Sequence, residues 1–297
     1  MENKIKILLD TDLGSDCDDS GALAVLHNLA DQDKAEILGI THCASERTGL
    51  VSVMSINSYY GRPDIPVGQY KVKPFLEEPN CTRYTTVLAR EYENVFRKIE
   101  KTDIEDSVKT MRKVLANNIG VVMVSIGILN NIALLLKSQP DEISDLNGID
   151  LVKKSVSSLY VMGGNFEDLS FEEYNIKCSI DDAQYVSDNF PARIVYCGFE
   201  IGSKIKTGKK LKSSAVENPV RKAYQIYSKD GLRESWDPIT VYCAINQKSE
   251  LFTTMEDVTI RFDMFGRTVI CKGGKDAFLI MNKPLEEIRE TIDNLLV

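Results

Sequence analysis

Five aspartates fall within ten residues, Asp10-Thr11-Asp12-Leu13-Gly14-Ser15-Asp16-Cys17-Asp18-Asp19, directly after the apolar run Ile5–Leu9. Carboxylates repel one another, and an unpaired buried charge is expensive. Such a segment belongs at the end of a strand, in a loop that meets a compensating positive charge. A hard divalent cation supplies that charge most simply, since Ca²⁺ and Mg²⁺ prefer oxygen ligands. Open α/β sheets place their sites outside the carboxyl ends of strands, where this segment would lie. Gly14 lets the loop turn tightly, so that early and late aspartates converge. The plainer alternative is a polar loop that caps the next helix.

The rest of the chain alternates apolar runs with amphipathic ones. Ala35–Thr41, Ile65–Gly68, Val121–Ile126, Ser157–Met162 and Arg193–Cys197 read as strands. Ser20–Ala30, Val51–Tyr60, Ile104–Asn117 and Asn130–Lys137 have helical spacing. This rhythm predicts the α/β class, with a Rossmann-like open, mostly parallel sheet covered by helices on both faces. Val258–Phe262 and Arg267–Cys271 flank a Phe265-Gly266 turn, and a helix over Leu285–Leu296 follows. The expectation is a single domain over 1–297 with a small C-terminal β/α extension from about 252. Pro74–Tyr84 is turn-rich and polar, as a mobile loop beside a site would be, and Glu217–Ser235 is a second candidate cover.

Bulk properties exclude several classes. At 43% hydrophobic and 27% charged, the chain is too apolar for disorder. The net charge is −8, and the densest basic stretch, Lys204 to Lys212, reads as a solvated loop rather than a nucleic-acid track. No apolar run approaches the ~20 residues that span a bilayer, and Ile5–Leu9 is too short for a signal-peptide core. Seven cysteines without a Cys-x-x-Cys pair read as free thiols of a cytoplasmic protein.

Three further motifs are weak singly: Met162-Gly163-Gly164-Asn165 at a strand end, Glu172-Glu173-Tyr174-Asn175, and Ser235-Trp236-Asp237-Pro238. Together with the aspartate loop and Gly127-Ile128-Leu129-Asn130-Asn131, in that order and spacing, they are specific. Over nearly its whole length the chain resembles the inosine–uridine preferring nucleoside hydrolases. The resemblance implies hydrolysis of the N-glycosidic bond of ribonucleosides, giving nucleobase and ribose. It implies a Ca²⁺ ion held by Asp12, Asp19, the carbonyl of Asn130 and Asp237. Asp12 is then the general base, Asp18 meets the 2′-hydroxyl, and Asp10 supports the loop. Asn165, Glu173 and Asn175 would grip the sugar, with Tyr174 as an aromatic wall. A homo-oligomer, dimer or tetramer, is implied as well.

The chain also departs from the pattern. Its loop is two residues longer and carries Asp16 as an extra carboxylate. Trp236 stands where many members have the histidine that protonates the leaving base, which resembles the purine-preferring branch and implies a purine preference. The chain has two histidines, His27 in the first helix and His42 after the second strand, and only His42 is placed to approach a ligand. The family's sugar-binding asparagine after strand two is missing from Thr41-His42-Cys43-Ala44-Ser45-Glu46. A haloacid-dehalogenase-type phosphatase would also begin Asp10-Thr11-Asp12, but Gly14 stands where it needs Thr or Val. A Ca²⁺-dependent ribosyl-binding protein that has lost the acid is the non-enzymatic alternative.

Overall fold

The computed structural model describes residues 4–76, 83–94 and 104–297. Its strands are β1 (Ile5–Thr11), β2 (Ala35–His42), β3 (Val67–Gln69), β4 (Glu105–Asp106), β5 (Val121–Ser125), β6 (Val156–Met162) and β7 (Arg193–Cys197). They continue as β8 (Lys206–Thr207), β9 (Arg233–Glu234), β10 (Phe252–Phe262), β11 (Thr268–Lys272) and β12 (Asp276–Met281). Ten of them form one sheet in the order β11-β10-β12-β7-β6-β5-β1-β2-β3-β4. From β12 to β4 every neighbouring pair is parallel, and only the pairs of β10 with β11 and β12 are antiparallel.

Alternation along the strands explains why both faces need cover. Ile7 and Leu9 enter one apolar cluster, and Leu8 enters the other. On β5, Val122 and Val124 face the first cluster, and Val121 and Met123 the second. A two-sided sheet of this kind is stable only between two helical layers; each fully buried aliphatic side chain contributes about 1.5–3 kcal/mol.

Topology fixes where a ligand can enter. The chain runs outward from β1 through β2, β3 and β4, then returns to β5 on the other side of β1. The carboxyl ends of β1 and β5 therefore border a switch point, the usual crevice of such sheets. The helices Asp18–Asp31 and Trp236–Ile245 pack against each other and bring their first turns to this edge.

Several boundaries differ from the sequence reading. The first helix starts at Asp18, so Asp18 and Asp19 lie inside its first turn, and Cys17 takes the cap position. The residues from 252 onward are continuous with the sheet, because β12 pairs in parallel with β7; this strand was not anticipated. The stretch 217–235 divides into the helix Pro219–Tyr227 and β9. Of the expected loop Pro74–Tyr84, residues 77–82 lie outside the described residues, and Tyr84 belongs to the helix Arg83–Glu91.

Candidate active site

A cavity of about 310 Å³ opens at the switch point. That volume lies at the small end of ligand-binding clefts. The acidic part of its lining, its acidic side, comprises Asp12, Asp16, Asp18, Asp19, Glu173 and Asp237. The aromatic part of the lining, its aromatic side, comprises Tyr174, Phe199, Tyr227 and Trp236, and it meets the acidic part at the neighbours Glu173–Tyr174 and Trp236–Asp237.

The acidic side is built by strand ends and the first turns of two helices. The β1 loop turns at Gly14, whose φ of 133° suits only glycine. Gly127, after β5, lies against Asp12: a side chain there would meet Asp12 Oδ1 at 2.7 Å. Ser15 Oγ donates to Asp12 Oδ2, and Thr11 Oγ1 donates to Asp19. The main-chain N–H of Asp237 donates to Asp18 Oδ2 at 3.1 Å, which stitches the two helix starts together. Acidic residues in first helical turns are favoured by the helix dipole.

Asp18, Asp19 and Asp237 each offer a carboxylate oxygen within 4.8 Å of the others, and all three are buried. Burial, and then the charges of neighbouring aspartates, hold all three well above the ordinary carboxylate range. Asp12 is pushed up to about 6, also chiefly by burial. Among the described residues lining the cavity, Arg233 is the one basic side chain. It is bonded to Asp16, not to the triad. A buried, oxygen-only, mutually repelling donor set without its own counter-charge fits a hard divalent cation. The triad differs from the expected ligand set: Asp18 stands in it, and Asp12 stands beside it.

Asp10 does not line the cavity. Its Oδ1 accepts from Thr41 Oγ1 at 2.6 Å and Asn131 Nδ2 at 2.8 Å, which ties β1 to β2 and to the helix Asn130–Lys137. Burial raises it to about 7 despite those two bonds. Glu173 caps the helical turn Tyr174–Lys177, accepting from the N–H groups of Asn175, Ile176 and Gly164 at 3.0, 3.1 and 3.3 Å. It too is raised by burial to about 7. Asn175 gives its amide to the Met162 carbonyl at 3.2 Å, which turns its Oδ1 toward other partners.

Two expectations are corrected, those for His42 and Asn165. His42 is buried away from the cavity, with Nδ1 and Nε2 each 3.0 Å from a carbonyl, those of Ala44 and Leu13. It ends β2, and its ring packs behind the aspartate loop, where burial holds its pKa below the ordinary value. Asn165 is consumed by its own turn: its Oδ1 accepts from the N–H groups of Glu167 and Asp168 at 3.1 and 2.8 Å. Asn130 opens the helix Asn130–Lys137, where its side chain bonds the Cys43 carbonyl and the Asn131 N–H; its expected contribution is the main-chain carbonyl, which these side-chain bonds do not engage. His27 is buried in the first helix, stacked on Tyr60 and bonded to Asn57 at 2.9 Å.

The aromatic side holds what sequence reasoning missed. Trp236 Nε1 donates to the Phe199 carbonyl at 2.9 Å, and the two rings stack at 5.4 Å. The Arg233 guanidinium sits 5.1 Å from the Trp236 ring centre and 5.4 Å from that of Tyr227. Arg233 Nε bonds both oxygens of Asp16 at 2.8 and 2.9 Å, which gives the extra carboxylate a partner. Phe199 follows the end of β7, a position the strand-end rule could have flagged. Tyr227 and Arg233 carry no motif.

Residues 7–291 match the sequence profile described as inosine-uridine preferring nucleoside hydrolase. A relative from Salmonella dublin, the pyrimidine-specific ribonucleoside hydrolase RihA, is 27% identical over 283 residues, covering 85% of this chain and 82% of its own. The fold is shared with an inosine-uridine preferring nucleoside hydrolase from Bacillus anthracis, at a TM-score of 0.74, 14% identity and coverage of 98% and 99%. It is shared too with a purine-preferring ribonucleoside hydrolase from Gardnerella vaginalis, at 0.71, 20% identity and coverage of 98% and 99%.

Proposed function

The chain belongs to the inosine-uridine preferring nucleoside hydrolase family, a family of N-glycosyl hydrolases, and from that premise we propose that it hydrolyses ribonucleosides in a Ca²⁺-dependent reaction with purine nucleosides preferred. The observation that carries this reading is one cavity lined both by six carboxyl groups and by four aromatic side chains.

Cleavage of an N-ribosyl bond develops positive charge on the sugar ring, as glycoside cleavage does. Six carboxyl groups around one cavity favour that cation over the neutral substrate, which is differential binding of the transition state. Asp12, held by Ser15 and pushed up to about 6, is suited to take a proton from the attacking water at neutral pH. Asp18, Asp19 and Asp237 would hold the cation. When bound, such an ion supplies a Lewis-acid centre that grips neighbouring hydroxyls and strengthens water as a nucleophile. Glu173 and the Oδ1 of Asn175 line the same cavity as groups for the remaining sugar hydroxyls.

The base would rest on the aromatic side. A flat two-ring purine gains more contact from Trp236, Phe199 and Tyr174 than a single ring does. The Salmonella relative is named for pyrimidine nucleosides, so the preference needs a direct comparison.

Chromatography of a panel of purine and pyrimidine ribonucleosides, with and without chelator, tests the reading. The expected result is base release, fastest from purines, that chelator abolishes and Ca²⁺ restores. Release indifferent to chelator would remove the cation from the reaction, and faster pyrimidine release would reverse the preference. Tight binding without release would favour a ribosyl-binding protein.

A further inference from the structure

Base release leaves a nitrogen anion until solvent protonates it. Neither described histidine reaches the cavity, since His27 and His42 are each bonded elsewhere. The acidic side worsens the problem, because a field that favours a cationic sugar opposes an anionic leaving group.

We propose that Arg233 is the catalytic residue that stabilises the departing base, and that Asp16 is the positioning residue that aims it. The proposal rests on the hydrolase reading above. Arg233 is the one basic side chain among the described cavity residues. It lies on the aromatic side, its guanidinium 5.1 Å from the ring centre of Trp236. A base seated against that wall therefore lies beside the charge.

The guanidinium is fixed in place. Asp16 accepts from Nε and Nη2, and Glu234 accepts from Nη1 at 2.8 Å. The Asp16 backbone is itself tied down, because Tyr84 Oη donates to its carbonyl. Arginine has five N–H donors. These contacts use three, and one on each Nη is left to point at a base nitrogen or oxygen. Arginine stays charged at any working pH, so it acts by charge and hydrogen bonding, not as a proton donor. The step balances accordingly. The C1′–N bond breaks and its electron pair leaves with the base. The water oxygen bonds to C1′, its proton passes through Asp12 to solvent, and the base takes a proton from solvent after release.

Leaving-group dependence tests this. p-Nitrophenyl riboside releases a stable anion that needs no help. With Ca²⁺-loaded protein, Arg233→Gln is expected to lose about 100-fold in kcat on nucleosides and to keep p-nitrophenyl riboside within about threefold of wild type. Arg233→Lys, which keeps the charge, should recover part of the loss. Asp16→Asn should show the same selectivity with a smaller loss, nucleosides falling further than p-nitrophenyl riboside. An equal fall on both substrates would overturn the proposal in favour of a structural role, and no fall on either would make Arg233 a bystander. Failure of the wild type on both substrates would instead sink the hydrolase reading, and this proposal with it.

Discussion

The two sides of the cavity are built on opposite principles. The acidic side is assembled from strand ends and the first turns of two packed helices, and nearly every group in it is buried and bonded to the backbone or to a neighbour. The aromatic side comes from separate segments, with Tyr174 after β6, Phe199 after β7, Tyr227 ending the helix Pro219–Tyr227 and Trp236 opening the helix Trp236–Ile245, and its members are partly exposed: Tyr174 is 51% exposed and the Arg233 side chain 27%. A rigid, pre-charged half suits the part of a substrate that never changes, the ribose. A half made of stacking surfaces and one cation tolerates different bases. On the proposed reading, activation of the sugar and handling of the base would fall on different residues and should fail separately.

The largest separation is expected at Asp12. Asp12→Asn should cost about 10³-fold in kcat on every nucleoside while melting temperature and circular dichroism stay near wild type. Near-wild-type turnover would remove the acidic side from the chemistry. A smaller and more selective effect is expected at Trp236. Stacking on an aromatic side chain is worth about 1–3 kcal/mol per base, so Trp236→Ala should lose roughly ten- to a hundredfold in kcat/KM for purine nucleosides. Inhibition by free ribose should not change. If ribose binding falls by the same factor, the indole is a packing residue and the two sides are not independent.

The same contrast explains what the sequence discloses. The acidic side is legible because its residues are forced to cluster: five aspartates after one strand admit few arrangements, and Met162-Gly163-Gly164 and Glu173-Tyr174-Asn175 sit at fixed positions relative to β6. The parallel sheet is legible for a related reason, since strands buried on both faces read as apolar runs such as Val121–Ser125. Strand β12, Asp-Ala-Phe-Leu-Ile-Met, escaped because its place in the sheet is set by parallel pairing with β7, far away in the chain, as well as by pairing with β10. Arg233 and Tyr227 escaped because no local pattern marks a residue whose partner is more than 200 positions away, as Asp16 is from Arg233. Asn165 and His42 were misplaced because a polar residue at a strand end serves its own turn as readily as a ligand, and only coordinates tell which.

The central claim, that the acidic side is a cation site, has a direct physical consequence. Asp10 and Glu173 are raised to about 7 and Asp12 to about 6, with Asp18, Asp19 and Asp237 also raised. Unfolded carboxyls titrate near 4. Between about pH 4 and 7 the folded chain therefore binds more protons than the unfolded chain, and its stability falls as pH rises. A bound cation offsets that repulsion most where the carboxylates are ionised. The decisive measurement is thermal unfolding of chelator-treated protein at pH 5 and pH 8, each with and without Ca²⁺. The account predicts a lower melting temperature at pH 8 than at pH 5 without Ca²⁺. It predicts a rise on adding Ca²⁺ at pH 8 of about 5 °C or more at a hundredfold excess over Kd, about 2.7 kcal/mol, and a smaller rise at pH 5. A melting temperature indifferent to Ca²⁺ at pH 8 would contradict it.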